Sequence, residues 1–254
     1  MTLFAAPSQH REKATISRVL SLLPLYAALA DGYIWSWFAV NVPMDLGTGG
    51  TFTSDMDIVA RLLDHHDRQY VYRTWEVKVS LLPKDGSPRS LKSGKLGRTL
   101  RQLRAYRGFG SPHVSLLDVY VCEADFWRTN VFPPQLVTAE AVRKIATLRP
   151  EGFGYQWLPF GHWQEGDDDV GTFTMPLEGR MRPMTHLLQA RSTAVGDGFN
   201  RLVKRLHERF RETQGSDARK HVITFCRACR RIQVVAKAEG FMCPACDSDL
   251  LTQS

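Results

Sequence analysis

The chain has 254 residues, 43% of them hydrophobic and 23% charged, enough for one sizeable domain and a small one and unlike a disordered chain. Lys and Arg outnumber Asp and Glu by 33 to 26, a formal charge of +7. That balance favours polyanionic partners, nucleic acid first and an anionic membrane surface second.

In chain order, residues 10–30 read as a Leu- and Ala-rich helix divided at Pro24. Its apolar run over 19–30 falls short of the ~20 residues a membrane span needs, so no transmembrane helix is expected. The run also imitates a secretory signal, following Arg11, Lys13 and Arg18 and ending in Ala28-Leu29-Ala30. Glu12 inside the basic region argues instead for a buried first helix. Residues 33–40 are β-branched and aromatic and predict a strand. The Gly-rich stretch 46–51 marks a turn, and 57–60 opens a second extended segment. The strongest strand pattern runs over 70–82, where Val71, Trp75, Val77 and Val79 stand among polar residues.

After a basic loop over 83–94, Leu96, Leu100 and Leu103 recur at helical spacing beside Arg98, Arg101, Gln102 and Arg104. Residues 114–121 follow as another strand, and the fifth cysteine, Cys122, next to it reads as an inert strand residue. Helix, three strands, helix and strand make an α/β sandwich over 1–150. From 151 to 182 Gly, Pro and aromatics replace any periodicity, so a loop is expected, with the acidic run at 167–169 solvated. Phe199, Leu202, Val203, Leu206 and Phe210 then share one face of a helix whose other sides carry Arg201, Lys204, Arg205 and Arg209. Residues 151–218 thus form an accessory loop and basic helix.

The strand over 70–82 holds Glu76-Val77-Lys78, and a period of two places Glu76 and Lys78 on one face with Val77 on the other. Nineteen residues before Glu76 comes Asp57, abutting Ile-Val-Ala in a strand able to pair with the first. Asp55 competes for the same role, but Asp57 adjoins the apolar run directly. Side by side, Asp57 and Glu76 supply the hard oxygen ligands that Mg²⁺ prefers, with the Val77 carbonyl, water and a phosphate oxygen filling other positions. Lys78 can then orient the attacking water and steady charge on the phosphate. The plainer alternative is an ion pair of Glu76 and Lys78 on a solvated sheet face, with Asp57 closing a turn.

On these residues the chain resembles the PD-(D/E)xK nuclease superfamily, which includes restriction endonucleases, Holliday-junction resolvases and transposon-end nucleases. The resemblance covers roughly residues 10–125. It implies a restriction-endonuclease-like αβββαβ core and phosphodiester hydrolysis with Mg²⁺ or Mn²⁺ at Asp57, Glu76 and Lys78. Gln102 falls where several families carry a functional Gln. Many members also place a Glu in the first helix, where Glu12 is the acidic residue available.

Cys226-Arg-Ala-Cys229 and Cys243-Pro-Ala-Cys246 are separated by thirteen residues that include Ile232-Gln-Val-Val235 and Gly240. Two such knuckles supply four thiolates for a structural Zn²⁺ and predict a small zinc-ribbon domain over 219–254. A disulfide or redox pair is the alternative, disfavoured because neither CxxC lies in a βαβ pattern. Metal spacing suits a reducing compartment, hence a cytoplasmic protein. Arg219, Lys220, His221, Arg227, Arg230 and Arg231 surround the first knuckle, enough charge for a phosphate backbone, while a protein-docking role is equally open. The expected function is a DNA endonuclease, with a non-catalytic nucleic-acid-binding or assembly subunit as the alternative. Restriction or phage defence, transposition and repair all use such a core, and a homodimer is compatible with it.

Overall fold

The computed structural model describes residues 33–48, 55–64, 66–90, 96–123, 132–164, 172–174, 185–213, 215–218, 220–236, 242–248 and 250. The expected helix over 10–30, Glu12 and the acidic run at 167–169 lie outside these residues. The protein is a mixed α/β structure with elements β1 (Tyr33–Pro43), α1 (Asp45–Thr48), β2 (Asp55–Asp64), β3 (Tyr70–Leu82), β4 (Arg89–Ser90), α2 (Leu96–Gly108) and β5 (Val114–Glu123). There follow α3 (Gln135–Leu148), β6 (Gly154–Gln164), β7 (Thr172–Thr174), β8 (Thr185–Leu188), α4 (Asp197–Glu212), β9 (His221–Cys226) and β10 (Arg231–Ala236).

The described strands form one sheet in the order β10-β9-β1-β2-β3-β5-β6-β7, with β4 on β3 and β8 on β6. β1, β2 and β3 are antiparallel neighbours, whereas β3, β5 and β6 run parallel, as do β1 and β9. Five strands, β1, β3, β5, β6 and β9, therefore end on the same edge of the sheet, where β2 begins. The expected strands over 33–40, 70–82 and 114–121 and the two amphipathic helices after 96 and 197 are all present.

Alternation sets the layers. Ile58, Val77, Val79, Leu117 and Val119 turn to one face, where they pack with Val222, Val235, Cys226 and Cys243. Leu116, Tyr120 and Tyr155 turn to the other, under Leu103 and Tyr106 of α2, Val137 and Ala141 of α3, and Phe199 and Leu206 of α4. Each fully buried side chain of this size contributes about 1.5–3 kcal/mol. The cysteine-bearing segment thus shares the apolar layer of the sheet, and its strands β9 and β10 extend that sheet beside β1.

One expectation fails. Residues 154–164 are not loop but the strand β6, paired with β5 from Ser115↔Gly154 to Glu123↔Trp163. Gly154 and Pro159 read as strand breakers, yet each has a local reason to be there. A Cβ on Gly154 would lie 2.3 Å from Ser115 Oγ, so glycine lets the two strands close up. Pro159 falls between the stretches that pair with β8, at Tyr155–Trp157, and with β7, at His162–Gln164.

α4 is tied to the end of α2 by a backbone approach that tolerates no side chain. The Gly196 N–H donates to Gly110 O at 3.0 Å and the Phe199 N–H to Phe109 O at 3.2 Å. Gly110 has φ +102°, and a Cβ there would lie 2.4 Å from Gly196 Cα. Gly110→Ala should accordingly cost at least about 2 kcal/mol, through both the left-handed backbone and the clash. Urea unfolding followed by tryptophan fluorescence measures it, and a midpoint equal to wild type would show that the helix ends are not held this way.

Candidate functional site

The β2–β3 ladder runs from Leu63↔Tyr70 to Ile58↔Trp75 and stops there. The next donor on β3, the Val77 N–H, is taken by the side chain of Asp57, whose Oδ2 accepts it at 2.7 Å. A strand residue directs its N–H and C=O to the same neighbour, so the Val77 carbonyl also points to the β2 side. The Val77 side chain is buried on the opposite face, among the apolar layer.

Glu76 is almost wholly buried, at 1% exposure, while Lys78 keeps 23%. Lys78 Nζ lies 2.5 Å from Glu76 Oε1. The Tyr106 hydroxyl on α2 lies 2.5 Å from Glu76 Oε2 and 2.7 Å from the Asp55 carbonyl oxygen. Burial, then the nearby Asp57 and Glu76 charges, push the Tyr106 hydroxyl well above its usual range. It therefore remains a donor at any physiological pH, shared between two acceptors. Asp57, Glu76, Val77 and Lys78 are thus drawn together as their order along two adjacent strands predicts, whereas nothing in the pattern marks Tyr106 as more than a core aromatic.

Gln102 stands one helical turn before Tyr106, and residues four apart share a helix face. Its Oε1 is buried and, among the described residues, accepts no hydrogen bond. An orphaned buried acceptor requires a reason, and a water or ion beside the carboxylates is one that its place on the helix permits.

A second polar cluster was not foreseen. Asp118 is level with Lys78 in the β3–β5 register, and its Oδ2 accepts from Lys144 Nζ at 2.6 Å and from the Tyr155 hydroxyl at 2.5 Å. Burial pushes the Asp118 carboxyl up, against Lys144 and Tyr155, which hold it down. Lys144 also pairs with Glu140 at 2.7 Å, so this network ties α3 to the sheet.

The four cysteines converge as their spacing predicts, with all Sγ atoms within 4.8 Å of one another. Cys226 and Cys246 approach to 3.6 Å, Cys229 and Cys243 to 3.7 Å. These separations far exceed a disulfide bond of about 2.05 Å. They match the edge of a thiolate tetrahedron around a metal at about 2.3 Å, which is roughly 3.8 Å. The group could bind a metal such as zinc, and among the described residues it is where three or more such ligand side chains meet. Arg227, next to Cys226, forms an ion pair with Asp55 at the start of β2.

The cationic helices differ. On α2, Arg104 grips Glu151 through two contacts of 2.5 and 2.8 Å, and Arg107 donates to the Glu151 and Gly152 carbonyls. Arg98 and Arg101 remain exposed. On α4, Arg205 donates to the Leu46 carbonyl of α1, while Lys204, 76% exposed, is 4.0 Å from Glu208. Among the described residues, no helix is long and apolar enough to cross a membrane.

Compared with protein-family models, curated proteins and solved structures, the chain matches none. Gln102→Leu removes the orphaned acceptor and should hold or raise stability, by up to about 1 kcal/mol, in urea unfolding. A loss of that size would mark the amide as an ordinary bonded structural group.

Proposed function

We propose that the protein is a divalent-metal-dependent DNA endonuclease of the PD-(D/E)xK type, with β1, β2, β3, α2 and β5 forming a restriction-endonuclease-like core. The observation that carries this reading is the convergence of Asp57 and Glu76-Val77-Lys78 where the β2–β3 ladder ends. Asp57, Glu76 and the Val77 carbonyl offer the hard oxygens suited to Mg²⁺ or Mn²⁺. When bound, such an ion supplies Lewis acidity to the phosphate and a nucleophilic water.

The remaining work falls to the protein. Tyr106 fixes the Glu76 carboxylate from above, so that its second oxygen faces the opening occupied by the Lys78 ammonium. Lys78, the more exposed partner, can turn from Glu76 to orient water and to steady the charge that develops on the phosphoryl oxygens. Gln102 adds an acceptor for that water from the helix above. The cysteine site, with four thiolates and no open position, suits a structural Zn²⁺. DNA would be held by the exposed cations of α4, by Arg98 and Arg101, and by the knuckle, which could equally dock a protein.

One observation favours the alternative of a non-catalytic nucleic-acid-binding or assembly subunit. Both carboxylates already accept from protein donors, Asp57 from Val77 and Glu76 from Lys78 and Tyr106, as in a purely structural ion pair. The partial exposure of Lys78, 23% against 1% for Glu76, leaves its ammonium within reach of a ligand.

Purified protein should cut DNA with Mg²⁺ or Mn²⁺ and lose that activity in EDTA. Alanine at Asp57, Glu76 or Lys78 should lower the rate by roughly 10²-fold or more. Near wild-type cutting by a double variant of these residues would remove the assignment. For the DNA grip, Lys204→Ala and Arg101→Ala should each reduce the slope of log K against log salt by about 0.9 on duplex DNA. An unchanged slope would mark the corresponding helix as a solvated face.

A further inference from the structure

The four-cysteine knuckle and the carboxylate site meet on one edge of the sheet. β9 runs parallel to β1 in the register Ala39↔Ile223 and Val40↔Thr224. Continued by three residues, this register sets Arg227 level with Pro43, which itself faces Asp55. The Arg227 side chain reaches across β1 to pair with the Asp55 carboxylate.

At Asp55 strand pairing is one-sided. The β2–β3 ladder has stopped at Ile58, so among the described residues the start of β2 pairs with β1 alone. There its partner is Pro43, which lacks an N–H to donate. Yet Asp55 carries the carbonyl that holds the Tyr106 hydroxyl at 2.7 Å. Two residues on, Asp57 holds the Val77 N–H. Any slack at Asp55 is transmitted to both groups that set Glu76 and Asp57.

We infer that Arg227 is a positioning residue of the carboxylate site, through which the cysteine knuckle clamps the start of β2 by way of Asp55. This rests on the endonuclease reading, since the group being positioned is the metal-holding pair Asp57 and Glu76. Arg227 itself does not touch the reacting atoms. The knuckle is then a working wall of the site.

The sign of one effect separates this role from simple charge. Removing a cation near a cation site tightens metal binding through Coulomb attraction alone. Loosening the strand that carries the ligands weakens it. Mn²⁺ binding to the full chain, followed by electron paramagnetic resonance, reads the balance, and salt-dependent DNA binding is measured in parallel.

Arg227→Ala should raise the Mn²⁺ dissociation constant a few-fold, less than the roughly tenfold loss of a group bonded directly to a metal ligand, because Arg227 acts through Asp55 and Tyr106. Arg227→Lys should restore most of it. In an Asp55→Asn background, Arg227→Ala should add little, because the two act as one unit. Equal or tighter Mn²⁺ binding by Arg227→Ala would overturn this inference and leave the endonuclease reading intact. So would unchanged Mn²⁺ affinity with a DNA salt slope reduced by about 0.9, which would make Arg227 a phosphate contact. Wild-type protein that neither binds Mn²⁺ nor cuts DNA would instead remove the endonuclease reading, and the inference with it.

Discussion

A carboxylate taken out of water must be met by charge or by hydrogen bonds, and Glu76, at 1% exposure in the middle of the sheet, imposes that demand on everything near it. Lys78 meets it from two residues along the same strand, which only the alternation of β3 permits. Tyr106 meets it from α2, and so fixes where that helix crosses the sheet. Asp57 meets the neighbouring orphan, the Val77 N–H, and so decides where β2 parts from β3. Replacing a buried ion pair by well-packed apolar groups is often neutral or stabilising, by about 1–4 kcal/mol, whereas removing one partner costs about 3–5 kcal/mol. Removing Lys78 or Tyr106 from Glu76 is therefore the costly change.

The two polar clusters on this face differ in access. Asp118 is sealed by Lys144, Tyr155 and α3, and Lys144 keeps 15% exposure with both of its carboxylate partners in reach. Its geometry is that of a fastener. Glu76 lies one strand away, but its cationic partner stands nearer solvent and the acceptor above it, Gln102 Oε1, is unspent among the described residues. The clusters in adjacent strands therefore differ in which helix supplies their partners, α3 for Asp118 and α2 for Glu76.

Much of this was legible in the sequence because periodicity reports burial directly. Strand alternation over 70–82 fixed the shared face of Glu76 and Lys78, and cysteine spacing fixed the thiolate cluster, since both depend on local geometry. Asp57 was legible from its place before Ile-Val-Ala, although the bond it makes to a backbone donor was not. β6 was hidden by Gly154 and Pro159, whose fitness depends on Ser115 and on the gap between β7 and β8. Tyr106 and the Arg227–Asp55 pair were hidden for a related reason. The residues they join lie 30 and 172 positions apart, and only the sheet brings them together.

The sheet also redistributes the positive charge. The sequence places arginines on two helices alike, but α2 spends Arg104 and Arg107 on Glu151 and Gly152, which anchors the turn before β6. That leaves α4 with the larger share of exposed cations. Arg205 of α4 reaches Leu46 in α1, and α1 begins two residues after Pro43, the residue facing Asp55. The same edge receives Arg227 from the knuckle. Cations from α4 and from the knuckle thus both reach the chain around the end of β1, Arg205 at Leu46 and Arg227 at Asp55 opposite Pro43. Parallel strand directions create this coincidence, because the ends of β1, β3 and β9 and the start of β2 must share one edge.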